Sequence, residues 1–381
     1  MDGCLFWVCM VCGFLWGLSI IPVGWIVFLA SMSRYGVEGF TDRELDYYSR
    51  TLLLRGMGVG AQRRLRGSRV CVVGLGGLGS PVVMQLASLG VGGLRLVDGD
   101  VVEISNLQRQ NLYGVGDVGL AKVEAAAERV RGINPFVEVE PVPLNVSVLN
   151  AGEVVGGCDV VVGALDRMAP RYALNRVCVK NGVPFVHGAA VSYVGNATTI
   201  VPGETVCLEC FQGGVDDSAL PTCAVVGVHP SLVNIVGSVM ASETVRLLTG
   251  AEPVLADRLL FIDLEDLSFE TIKLRRVEGC PVCGSGGEPD ALEFEPVVEI
   301  CGREGRRVFV YQPERAMGLA LDGYVERVTG EGYGVFARGE LGFSFTGDGV
   351  KGSLLSSGIV ILEGFGDRGA ADGFHDWLLK G

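Results

Sequence analysis

Two pairs of cysteines share one spacing, Cys207-Leu-Glu-Cys210 and Cys280-Pro-Val-Cys283. Four thiolates presented as two such knuckles can close a tetrahedral structural Zn²⁺ site, which leaves no ligand position for catalysis. The metal's task would then be to tie the chain near residue 280 to its middle. A redox-active CxxC is the alternative for either pair. A second constellation begins at Gly74-Leu75-Gly76-Gly77-Leu78-Gly79, directly after the apolar run 70–73. In a strand-to-helix turn, Gly74 allows the tight bend, Gly76 with Gly77 beside it lets a phosphate approach the backbone, and Gly79 permits close helix–strand packing. Phosphate oxygens would sit at the helix N-terminus, where unpaired N–H groups favour negative charge. Asp98 follows Gly79 by 19 residues, a distance that suits a carboxylate accepting from ribose hydroxyls.

That much fits a dehydrogenase equally well; the stretch that follows does not. In "GDVVEISNLQRQNLYGVGDVGLAKVE", Asn106, Arg109, Gln110 and Lys122 come just past the ribose acid. A triphosphate gives them a purpose. Arg109 and Lys122 would neutralise phosphate oxygens as pyrophosphate leaves, stabilising charge that develops in the transition state. Taken singly, either is equally well a solvated surface charge. A lone thiol, Cys223, lies 13 residues past Cys210 in a Gly- and Asp-rich stretch. A loop setting favours exposure, whereas a free cysteine is ordinarily buried and inert, the reading that suits Cys71, Cys158 and Cys178. His187 and His229 read as packing or hydrogen-bonding residues, and His375 falls in a last helix with no partner evident.

Positioning these groups requires a strand–helix alternation, and the chain supplies one. Residues 122–135 form a helical pattern closed by Gly132 and Pro135; 136–144, 158–165 and 183–191 read as strands. The pattern implies an α/β fold with a doubly wound, mostly parallel, Rossmann-like sheet. Residues 230–250 are apolar at helical spacing and shorter than a membrane span, so they are expected in the core. "GSGGEP" at 284–289 is a linker. Beyond it, hairpin strands (297–302, 306–312), a helical 314–328 and further strands suggest a small α+β domain of β-grasp order. The expected division is 1–31, 32–284 and 290–381.

A formal charge of −13 and a pI near 4.8 argue against nucleic-acid or anionic-lipid binding through bulk charge. Twelve cysteines in 381 residues at metal-type spacings favour a reducing compartment over a secreted disulfide scaffold. Residues 3–33 carry no charge, enough for the roughly 20 residues of a bilayer span, but no basic n-region precedes them. Either they anchor a cytosolic body, as Arg34 beyond them implies, or synthesis starts at Met32 and the protein is cytoplasmic.

Taken in order, "YYSRTLLLRG", "GLGGLGSP", "LVDGDVVEISNLQRQNLY", "AKVE", "INP", "GALDRMAPRYALN", "VCLECF", "PTCAVVGVHPSLVNIVGSVMASETVRLL" and "GCPVCG" resemble the ThiF/MoeB/HesA family of adenylating enzymes, relatives of ubiquitin-activating enzymes. The resemblance runs from about residue 40 to 284. It implies ATP-dependent adenylation of the C-terminal glycine of a small ubiquitin-like sulfur-carrier protein ending in Gly-Gly. By the family pattern Asp98 holds the ribose, and Asn106, Arg109 and Lys122 contact phosphates. Asp166 binds Mg²⁺, Arg50 reaches into the partner's ATP site of a homodimer, and Cys223 bonds the carrier covalently. Thr51 stands where the pattern has Gln, Arg167 where it has Asn, and no rhodanese-like domain follows. The C-terminal domain is then expected to recruit the carrier or a sulfur donor. Adenylation of a small or tRNA-bound carboxylate, and a non-catalytic scaffold, are the competing readings. Which carrier and which pathway, thiamine or molybdopterin biosynthesis among them, stays open.

Overall fold

A computed structural model describes residues 39–215, 226–301 and 307–380. The chain divides into two units, 1–54 and 55–381. In the first, α1 (Asp42–Tyr47) is fixed by a capping box: the Thr41 hydroxyl accepts from the Glu44 N–H, and the Glu44 carboxylate accepts from the Thr41 N–H at 2.8 Å. The apolar segment 1–31 lies outside the described residues. Among those described, no helix is long and apolar enough to cross a membrane.

The second unit opens with α2 (Val59–Arg66) and then alternates: β1 (Arg69–Val73), α3 (Gly79–Leu89), β2 (Gly93–Val97), α4 (Lys122–Ile133), β3 (Glu138–Val142), α5 (Ala151–Val155), β4 (Val160–Gly163), α6 (Met168–Asn181) and β5 (Phe185–Val191). It continues with β6 (Val194–Ile200), a short α7 (Glu209–Gln212), α8 (Pro230–Thr249), β7 (Arg258–Asp263) and β8 (Ser268–Lys273). These strands form one eight-stranded sheet in the order β3-β2-β1-β4-β5-β6-β7-β8. The pairings from β3 to β5 are parallel and those from β5 to β8 antiparallel, so the sheet is mixed.

Parallel strands covered on both faces read as continuous apolar runs, and β1 is such a strand. Val70 and Val72 enter the core shared with α3, α4 and α8, while Cys71 and Val73 enter the one built with α5 and α6. As expected, α8 is core: Val236 and Met240 are fully buried, and a Cβ on Gly188 of β5 would meet Met240 Sδ at 2.4 Å. Helix α4 runs through Gly132 to Ile133 rather than closing at the glycine. Asn134 ends it, donating from Nδ2 to Ala87 O at 2.7 Å and accepting from the Phe136 N–H.

A second sheet follows: β9 (Val297–Cys301), β10 (Arg307–Tyr311), α9 (Asp322–Gly330), β11 (Gly334–Arg338), β12 (Gly342–Gly347), β13 (Val350–Leu355), β14 (Val360–Glu363) and α10 (Arg368–Lys380). Its order is β11-β12-β13-β14-β10-β9, antiparallel throughout. A β-grasp sheet sets its first and last strands side by side in parallel; here β9 is an edge and β14 opposes β10, so this is an α+β arrangement of another topology. Only the second half of the expected 314–328 helix forms. Residues 317–319 run instead as a strap, with Met317 N–H donating to Ser357 O and Leu319 N–H to Ser356 O, and Gly318 at φ +64°.

The turn after β1 is tightly packed. A Cβ on Gly79 would lie 1.9 Å from Gly74 O, so helix α3 could not start where it does. Gly79→Ala is expected to destabilise the protein by about 3 kcal/mol, the upper range of overpacking. Chemical denaturation checks this, and an unchanged midpoint would contradict the packing argument.

Candidate functional site

In the strand order 3-2-1-4-5, connections leave in opposite directions on either side of the β1/β4 boundary, and ligands of open α/β sheets bind in the crevice beyond the strands' carboxyl ends at such a point. The predicted groups converge there: loop 74–79 after β1, Asp98 after β2 and Asp166 after β4. Gly74 has φ +88°, and a Cβ on it would lie 2.4 Å from Ala164 O. Gly77 packs on Val233, whereas Gly76 has only Gln110 Nε2 near it, at 3.8 Å. The middle glycine therefore faces open space, as close phosphate approach demands. Tyr113, not singled out in the sequence, braces the loop by donating from its hydroxyl to Leu75 O at 2.9 Å.

Asp98 accepts from the backbone N–H of Leu75 at 2.7 Å and of Asp100 at 2.9 Å. Burial pushes its carboxyl above the ordinary value, against the pull of Lys122. Lys122, at the first turn of α4, is buried and pairs with Asp100 at 2.7 Å. Burial alone would lower its pKa, but the carboxylates of Asp100 and Asp98 outweigh that, and Asp166 adds to them; the ammonium stays charged. Asp100 was not expected, and the only signal was a second acid two residues past the first. Asn106 closes a 3₁₀ turn by accepting from the Glu103 N–H at 3.1 Å, and Arg109 donates to Ser105 O at 3.0 Å. Gln110 is buried, with an Oε1 that has no hydrogen-bond partner among the described residues. Asp166 is exposed at the strand end. Behind it Arg171 donates to Leu165 O, while Arg167 turns to Glu295 at 3.1 Å.

The four zinc-type cysteines come together. Cys207 and Cys280 Sγ are 3.6 Å apart, Cys210 and Cys283 3.3 Å, and Cys207 and Cys210 4.0 Å. All four lie within 4.8 Å of one another. Tetrahedral zinc at about 2.3 Å from each thiolate implies sulfur–sulfur edges of about 3.8 Å. The donor set therefore fits a metal and is far too open for disulfides. Around it, Leu208 N–H donates to Asn175 Oδ1, tying the first knuckle to α6, and Arg276 donates to Cys283 O, bracing the second.

Cys71, Cys158 and Cys178 are buried, as expected of inert thiols. His187 is fully buried with neither ring nitrogen partnered among the described residues, and burial holds its pKa well below the usual range. His229 caps α8, accepting the Ser231 N–H at 3.2 Å. His375 does have a partner, stacking on Tyr311 at 4.3 Å between centroids.

Residues 48–282 match the family model described as the ThiF family. The chain belongs to this family. Similar ThiF-type proteins include the SAMP-activating enzyme E1 of Haloferax volcanii, 48% identical over 259 residues, 68% of this chain and 95% of that protein. The sulfur carrier protein adenylyltransferase of Thermus thermophilus is 39% identical over 269 residues, 69% of this chain and 98% of that one. The molybdopterin-synthase adenylyltransferase of Escherichia coli is 37% identical over 246 residues, covering 64% and 98%. Among solved structures, E. coli MccB with ATP matches with a TM-score of 0.58 over 69% of this chain and 81% of that one; at 23% identity this marks a shared fold. Two positions important to a ThiF-type reading are not addressed by the crevice itself. Cys223 lies outside the described residues, and Arg50 is an exposed residue of the first unit.

Proposed function

We propose that this protein adenylates the C-terminal glycine carboxylate of a small ubiquitin-like sulfur-carrier protein ending in Gly-Gly, using ATP. The carboxylate oxygen bonds to the α-phosphorus, the bond to the bridging oxygen breaks, and pyrophosphate leaves. The observation that carries this reading is the charged, buried Lys122 held by Asp100, with Asp98 acting on it while accepting from the Leu75 N–H of the glycine turn. An oxidoreductase has no use for such a cation there. In the proposal, Gly74, Gly76, Gly77 and Gly79 shape the phosphate turn and Asp98 takes the ribose. Asn106, Arg109, Gln110 and Lys122 bind the phosphates, and Asp166 offers Mg²⁺ a hard oxygen ligand. Arg50 completes the site of a partner subunit in a homodimer. Zn²⁺ at Cys207, Cys210, Cys280 and Cys283 is structural. ATP–pyrophosphate exchange that depends on a Gly-Gly-ending carrier is the test; exchange driven by small carboxylates alone would overturn the substrate assignment.

Cys223 is proposed as the thiol that attacks the carrier adenylate, expelling AMP and forming a thioester or, through a persulfide from a sulfur donor, an acyl-disulfide. What supports it is its sequence setting and the anchoring of the chain on either side. Val215 N–H donates to the Tyr172 hydroxyl at 3.0 Å, and Gly227 O accepts from the Ser192 N–H at 2.9 Å. Adenylation needs no thiol, so Cys223→Ala is expected to keep pyrophosphate exchange near wild type and to abolish a thiol-sensitive adduct with the carrier. An adduct that persists in the variant, seen by mass spectrometry, assigns Cys223 a structural role.

A further inference from the structure

Between β2 and α4 the chain leaves the sheet and returns as a two-armed ribbon. Val102 N–H donates to Leu120 O at 2.8 Å, Gly119 N–H to Val102 O at 2.9 Å, and Lys122 N–H to Asp100 O at 2.9 Å. An isolated two-stranded ribbon is marginal in water, and here the C-terminal sheet covers it. Along β12, Phe343 and Phe345 turn to α9 and α10, so Ser344 between them faces the other way. Its buried hydroxyl donates to Gly119 O at 2.6 Å and shares a 2.7 Å hydrogen bond with Ser353. Gly119 sits at φ +92°, and a Cβ there would come within 2.6 Å of Ala337 Cβ and of the Phe336 ring. In the first turn of α4, two residues after Lys122, the Glu124 carboxylate accepts from the backbone N–H groups of Glu340 at 2.6 Å and Leu341 at 3.0 Å. Gly339 makes room for it, since a Cβ there would lie 2.2 Å from Glu124 Oε2. At the ribbon's root, Ile359 Cδ1 fills the space 2.8 Å from where a Cβ on Gly99 would be.

These contacts fall on Gly99, Gly119 and Glu124, on both sides of the Asp100–Lys122 pair, and come from residues outside the stretch that matches the family model. We propose that the C-terminal sheet is a clamp acting within the chain, fixing the ribbon that carries Asn106 and Arg109 and setting the Lys122 ammonium for nucleotide. Glu124 and Ser344 are its positioning residues. The proposal rests on the reading of Lys122 as a phosphate contact and makes affinity for ATP depend on a domain outside the adenylation fold.

The test uses Glu124→Ala and Ser344→Ala in the full chain. Binding of a non-hydrolysable ATP analogue is measured by calorimetry, beside KM for ATP and for the carrier in pyrophosphate exchange. Each variant is expected to raise the analogue Kd and the ATP KM about five- to tenfold, the scale of one or two lost hydrogen bonds, with carrier KM unchanged. Glu124→Gln, which keeps one acceptor oxygen, should fall between. A merely structural role would lower the thermal midpoint or the active fraction and leave both nucleotide constants at wild type, and that result overturns the clamp. If Lys122→Ala still abolishes analogue binding in that case, the phosphate reading survives without the clamp. Wild-type binding by Lys122→Ala removes both. Should Glu124→Ala fail to fold, Ser344→Ala decides.

Discussion

Lys122→Ala is expected to lower carrier-dependent pyrophosphate exchange by at least ~10²-fold, the loss typical of one preorganised charge-stabilising donor. The expectation is firmer than for an exposed lysine. Lys122 is only 5% exposed, and its side chain is already oriented by Asp100 at 2.7 Å. No reorganisation is then required when charge develops on the phosphates. Its environment also fixes its protonation: three carboxylates, Asp100, Asp98 and Asp166, raise its pKa. Any alkaline limb of activity below about pH 10, near the ordinary lysine pKa, must therefore come from another group. Arg109 donates to a backbone carbonyl of its own loop and is less constrained, so Arg109→Ala should cost less than Lys122→Ala. The variants must retain the wild-type unfolding midpoint for the comparison to hold. Near-wild-type exchange by folded Lys122→Ala would end the ATP reading of this segment.

Cys207→Ser or Cys283→Ser should cost the fold and not merely turnover. Structural zinc in small sites contributes about 10–16 kcal/mol of apparent binding free energy, comparable to the whole stability of a typical domain at about 5–15 kcal/mol. Here the four sulfurs join the start of α7 to a turn 73 residues on, and Cys207 and Cys280 pack inside the apolar cluster that holds Leu174, Phe185 and Leu208. Without the metal that cluster contains thiols facing one another with nothing between them. One tightly held zinc per chain is expected by metal analysis, together with a large drop in thermal midpoint on chelation or in either variant. A zinc-free preparation that is folded and fully active would sink the assignment.

What could be read from the sequence was local in spacing. The order of strand, glycines, helix and acid specified the turn from Gly74 to Gly79 and the place of Asp98, because tight turns and helix starts depend on residues a few positions apart. The CxxC knuckles were legible for the same reason, and so was the core role of α8, whose apolar residues repeat at helical spacing. The helix predicted over 314–328 failed in its first half. There the backbone of residues 317–319 pairs with residues 356–357, a non-local competitor that no window of sequence contains.

The residue types and their intervals thus carried the proposed chemistry: a glycine turn open at Gly76, an acid after β2, cations for the proposed triphosphate and four cysteines that can hold a metal. Only the tertiary structure decided which acid holds Lys122, Asp100 rather than Asp98 alone, because that depends on where the ribbon's two arms meet. It also decided that the second sheet has no β-grasp pairing, since strand order follows from closing long loops and not from the strands themselves. And it placed Ser344 and the Glu340–Leu341 turn on the ribbon and on Glu124 from more than 200 positions away in sequence. Such contacts arise from the packing of two apolar faces, and a face has no signature in sequence beyond its own period.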